Sequence, residues 1–108
     1  MFGKRQSPPG GTNQPKELPI PGEAFTAPST EIFRAWIVNR DLHVSLVQGF
    51  DDPRMWGILL VDIARHAARI YEAEGFTSEA EALESIKQLF DAEWNNMTDA
   101  GRTGRARQ

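Results

Sequence analysis

From Phe33 to Leu46 apolar side chains recur at every second position on either side of Asn39-Arg40-Asp41, the period of strands with a turn between them. If Asn39 and Arg40 form a two-residue loop, Val38 pairs with Asp41, Ile37 with Leu42, Ala35 with Val44 and Phe33 with Leu46. One face of the hairpin is then wholly apolar: Phe33, Ala35, Ile37, Leu42, Val44 and Leu46. A slip of one residue would scatter those side chains over both faces, so the pattern selects this register. The opposite face is mixed, and on it Trp36 stands across from His43.

After Phe50 the period changes. Asp51-Asp52-Pro53 offers an acidic N-cap and a proline where its missing N–H costs nothing, and Gly75 offers a left-handed stop, which predicts a helix over 53–74. Its stripe is Trp56, Leu59, Leu60, Ile63, Ala67, Ile70 and Tyr71. Ile58 and Val61 make the first half apolar on the far side too, so a second covering surface is expected there. Gly57 predicts close approach of a neighbour. Ser78-Glu79-Ala80-Glu81 has the form of a capping box, with the Ser78 hydroxyl and the Glu81 carboxylate each taking the other's backbone amide. The second helix carries Leu83, Ile86, Leu89, Phe90, Trp94 and Met97 on its apolar stripe. The short link at 75–77 makes the helices antiparallel neighbours.

The order predicts an α+β fold, a β-hairpin followed by an antiparallel helical hairpin (β-β-α-α), with the hairpin's apolar side against the helices. Two strands alone are marginal in water, so the sheet needs a further strand. Pairing with a second copy supplies it and makes the chain a homodimer. The competing source is Leu18–Ala27, wrapped back as a third strand or an extended cover. Six of the seven prolines lie in the first 28 residues, and TDAGRTGRARQ at the other end has almost nothing apolar to bury. The expected layout is a disordered tail over 1–17, one domain over 18–97 and a disordered basic tail over 98–108.

Composition narrows the chemistry. The 108 residues are 40% hydrophobic and 25% charged, ordinary for one globular domain. No apolar run approaches the length of a membrane span, no apolar stretch follows Lys4 and Arg5 as a secretory signal would need, and there is no cysteine. A cytoplasmic protein is expected, without disulfides or thiolate metal sites. Residues 22–97 hold six basic and thirteen acidic side chains, a net of −7, whereas the ends hold six basic and two acidic, a net of +4. An acidic body disfavours nucleic acid, which only the Arg-bearing tails are suited to hold.

Asp62, His66 and Arg69 fall at i, i+4 and i+7 along one helix edge, spacing that lets them meet. An Asp that holds a histidine nitrogen can orient a general base, and the trio is the candidate ligand-binding site. Two histidines and no cysteine do not make up a zinc site, so no metal or cofactor is expected. The favoured reading of the trio is structural, an ion pair at the core edge or dimer seam. Trp36 and His43, beside Arg34, can stack against a flat ligand, with an interface as the favoured reading. No Gly-rich phosphate loop and no nucleophile signature is present.

Glu17-Leu-Pro-Ile-Pro-Gly22, Arg34-Ala-Trp-Ile37 with Leu42-His-Val-Ser-Leu46, and Asp52-Pro53 with the string from Trp56 to His66 (WGILLVDIARH) together resemble a family of short bacterial proteins. That family is catalogued as domain of unknown function 5076, and the resemblance spans about residues 17–94. It implies one compact small domain and supplies no catalytic or binding residue. The function expected from the residues is a non-enzymatic protein-interaction or regulatory module, homodimeric, with an unknown protein partner. The alternative is small-ligand binding or weak acid-base chemistry at Asp62, His66 and Arg69.

Overall fold

The computed structural model describes residues 13–97 and, as backbone, 102–105. The expected tails at 1–12, 98–101 and 106–108 lie outside the described residues. The chain divides after Thr30 into two units. In the first, Gly22–Phe25 makes one 3₁₀ turn, closed by the Ala24 N–H donating to Pro21 O at 3.0 Å. No strand forms over Leu18–Ala27, so this segment is not the sheet's third strand.

The second unit opens with the hairpin. Strands β1 (Phe33–Val38) and β2 (Asp41–Leu46) pair antiparallel in the register the alternation selects, Phe33 with Leu46 through Val38 with Asp41. Asn39 and Arg40 take φ of 52° and 72°, the two left-handed positions of a type I′ turn, whose twist matches that of the strands. The Val47 N–H extends the ladder to Ile32 O at 3.1 Å. Gly49 has no side chain to meet Ile32, whose Cγ2 would lie 2.8 Å from a Cβ there.

The third strand comes from the end expected to be disordered. Arg102–Arg105 forms β3 and pairs parallel with β2, His43 with Arg102 through Leu46 with Arg105. Its composition gives little strand signal; the open backbone groups of the β2 edge offer it hydrogen-bond partners whatever its side chains. Within this chain, then, the extra strand is neither Leu18–Ala27 nor a second hairpin.

Helix α1 runs Met55–Ala73 and α2 Glu79–Asn95. The Asp52 carboxylate accepts the Arg54 N–H at 3.0 Å and the Arg54 guanidinium at 2.7 Å, so the start has the acidic anchor that Asp-Pro implies. That guanidinium, and then the backbone amide, hold the Asp52 carboxyl below its usual range. The end of α1 is a Schellman motif: Phe76 N–H donates to Tyr71 O and Gly75 N–H to Glu72 O, both at 3.0 Å, with Gly75 at φ 81°. The hydrophobic contact that accompanies this motif is Phe76 edge-on to Tyr71, ring centroids 5.8 Å apart. At the start of α2 the Glu81 N–H donates to the Ser78 hydroxyl at 3.1 Å. Glu81 in turn accepts from the hydroxyls of Thr77 at 2.8 Å and Ser78 at 3.3 Å.

What the single chain does not form is the expected core. Among the described residues only Ala68, fully buried, and Ala82, at 6% exposure, are inside, one on each helix. The antiparallel helices therefore meet over alanines. The α1 stripe expected to face inward is open at Leu60, Ile63, Ile70 and Tyr71, as are Ile58 and Val61. No Cα atom of the described strands lies within 8 Å of either helix, which corrects the expectation that the hairpin's apolar side rests on its own helices. Ile37 and Leu42 on that side are 78% and 61% exposed. Nor does anything approach Gly57 within 4 Å of a modest side chain's position. Periodicity states which faces are apolar; it does not state which surface covers them.

Candidate interaction surface

Helical spacing along α2 places Ile86, Phe90 and Trp94 on the side of Ala82, next to the clasp of Tyr71 and Phe76 that ends α1. The result is an open groove of about 1000 Å³, running from Tyr71 and Phe76 past Ala82, Ile86 and Phe90 to Trp94 and Met97. Phe90 and Trp94 stack with centroids 5.6 Å apart and ring planes at 19°. Of the eleven lining residues only Glu93 is charged, so the groove offers burial of an apolar surface rather than fixation of a polar substrate. Phe76, Leu89 and Trp94 are each about two-thirds to three-quarters exposed, unusual for three neighbouring large side chains on a finished surface.

The residues singled out by sequence are arranged differently. Asp62, His66 and Arg69 are all exposed on α1, and no hydrogen bond or ion pair joins them to one another among the described residues. Arg69 instead reaches across to Glu79, Nε to Oε2 at 3.4 Å, and ties α1 to the start of α2. Trp36 and His43 do face each other across the hairpin, both half-buried. The Arg34 guanidinium carbon lies 5.6 Å from the Trp36 ring centroid while its nitrogens bind Glu31 at 3.1 Å. This pair and the α1 trio do not line the apolar groove. Among the described residues no three His, Cys, Asp or Glu side chains gather as metal ligands.

The groove was not singled out by sequence, although its signal was there. The spacing of Leu89, Phe90, Trp94 and Met97 predicts an inward stripe and is equally that of an exposed apolar face. Away from the groove, Lys87 donates to Asp91 at 2.7 Å, a contact that raises the lysine's pKa on an otherwise acidic helix.

The chain is a short α+β domain with a hairpin, a helical pair and an open apolar groove, and among the described residues its core is minimal. The chain belongs to the family described as "Domain of unknown function (DUF5076)", which matches residues 17–98. It is similar to a solved structure described as "Structure of a putative pyruvate dehydrogenase from the photosynthetic bacterium Rhodopseudomonas palustrus CGA009", with 41% identity and a TM-score of 0.74. That match covers 89% of this chain and 100% of the other. Among curated proteins none matches. No helix of the described residues is long and apolar enough to cross a membrane.

Proposed function

We propose that the chain is a non-enzymatic protein-interaction module of the cytoplasm whose working form is a homodimer, with surface left to engage a further protein partner. The observation that carries this reading is the absence of any fully buried large side chain among the described residues, next to an apolar groove of about 1000 Å³. A domain this small is stable only if it removes most of its apolar surface from water, and association is the route left to it. The lack of cysteine fits a reducing compartment.

Catalysis has less behind it. The exposed trio Asp62, His66 and Arg69 is not mutually bonded, and Arg69 is engaged by Glu79. Light scattering over a dilution series tests the reading: the expected mass is twice that of the chain. A monomer that persists at high concentration with the same helical content would sink it.

A further inference from the structure

Two apolar surfaces stand uncovered in one chain, the hairpin face around Ile37 and Leu42 and the helical groove around Leu89 and Trp94. Between residues 31 and 97, fifteen large apolar side chains are 39–78% exposed. At roughly 150–200 Å² for a whole side chain of this size, that is on the order of 1500 Å² of apolar surface, about twice what one partner gives to a standard interface. One further chain of the same kind is therefore a sufficient cover.

Charge decides between the ways two copies can meet. Residues 55–95, the helical pair, hold three basic and eight acidic side chains, a net of −5. Residues 31–47, the hairpin, hold two of each and are neutral, and the β3 sequence adds two arginines. Setting helices on helices brings two strongly acidic bodies together and leaves both hairpin faces in water. Setting hairpin on helices covers both apolar surfaces and opposes a neutral-to-basic body to an acidic one. The eight residues between Leu46 and Met55 can span up to about 28 Å, so a hairpin that stands off its own helices can reach a neighbour's.

From this we infer that the hairpin face of one copy lies in the helical groove of a second copy, reciprocally, as in an exchange of identical elements. The inference rests on the dimeric reading above and names the surfaces that reading uses.

The chain has no cysteine, so single thiols report contacts cleanly. Full-length Leu42→Cys and Leu89→Cys chains, carrying different tags, are unfolded together, refolded and treated with a short bifunctional thiol reagent. The expected product joins the two tags, with little product from either chain alone. Products joining like tags at dimer mass would overturn the exchange and leave the dimer intact, since like surfaces would then meet. Internal cross-linking of a Leu42→Cys/Leu89→Cys chain that stays monomeric would overturn both readings, because the hairpin would cover its own helices. Internal cross-linking of Ile20→Cys/Leu89→Cys would assign the groove to the chain's proline-rich segment and likewise overturn the exchange. Ile37→Cys replaces Leu42→Cys if circular dichroism shows that the latter does not refold.

Discussion

The hairpin and the helical pair are equally well specified locally and unequally satisfied beyond that. The helical pair owns a small core: Ala68 and Ala82 are buried, Phe76 closes on Tyr71, and Arg69 meets Glu79 across the connection. The hairpin owns its register, its type I′ turn and the β3 ladder, but Ile37 and Leu42 remain largely in water. Backbone hydrogen bonds and turn chemistry can fix the shape of a hairpin. They do not supply the burial that keeps it folded, since isolated hairpins are marginal. The difference teaches that shape and stability are separate matters in this sequence: among the described residues the hairpin has its shape, and the cover for Ile37 and Leu42 is what the proposed dimer would supply.

The sharpest way to break this comparison is to place a charge on the hairpin face. Leu42→Glu is expected to weaken the dimer by more than about 2 kcal/mol, about thirtyfold in Kd, because the carboxylate would be desolvated in an apolar groove. Mass against dilution measures it. A change within about 0.5 kcal/mol is what an ordinary exposed position gives, and it would mean that the hairpin face works in water as it stands.

The helical pair should respond to volume instead. Ala68→Leu forces extra bulk into the one fully buried position among the described residues and is expected to cost about 1–3 kcal/mol in a denaturant titration. Ala92→Leu, on an exposed part of α2, is the control and should stay near zero. Equal effects from the two would show that the alanine contact is not what holds the helices together.

The features legible in the sequence were those a few neighbouring residues decide. Asn39-Arg40 with flanking alternation fixed the register, Gly75 the end of α1 and Ser78 to Glu81 the start of α2, each through local backbone geometry. The helix start moved from Pro53 to Met55, within the usual fraying of an end. What was not legible depends on distant surfaces. Arg102–Arg105 carries no strand pattern of its own, and its pairing is with the β2 edge. Arg69 at i+7 from Asp62 suggested a local cluster, yet its partner is Glu79, beyond a reversal of the chain. Likewise the groove residues announced an apolar stripe, and only the three-dimensional arrangement shows the stripe open.

The smallest effect sharpens the comparison at the helical pair's connection. The Thr77 hydroxyl foremost, then the backbone amide and hydroxyl of Ser78, hold the Glu81 carboxyl below its usual range. A group that loses its proton more readily when folded adds stability that is fully present above its unfolded pKa, about 4.3. That contribution is lost as pH falls through the lower folded value. Acidification below about pH 4 should therefore loosen the start of α2, as it does the Asp52 anchor of α1, while the Ala68–Ala82 contact and the backbone ladder of the hairpin, which do not titrate, stay as they are. Hydrogen exchange at the Glu81 amide reads this directly. In Thr77→Val the Glu81 carboxyl should titrate at higher pH than in the parent chain, and Ser78→Ala should cost about 1 kcal/mol at neutral pH. If Glu81 titrates identically in the parent and Thr77→Val chains, the hydroxyl contact is not holding the carboxylate. The connection's order would then come from the Gly75 turn and the Tyr71–Phe76 clasp alone, making the helical pair self-sufficient through apolar contact rather than through its cap.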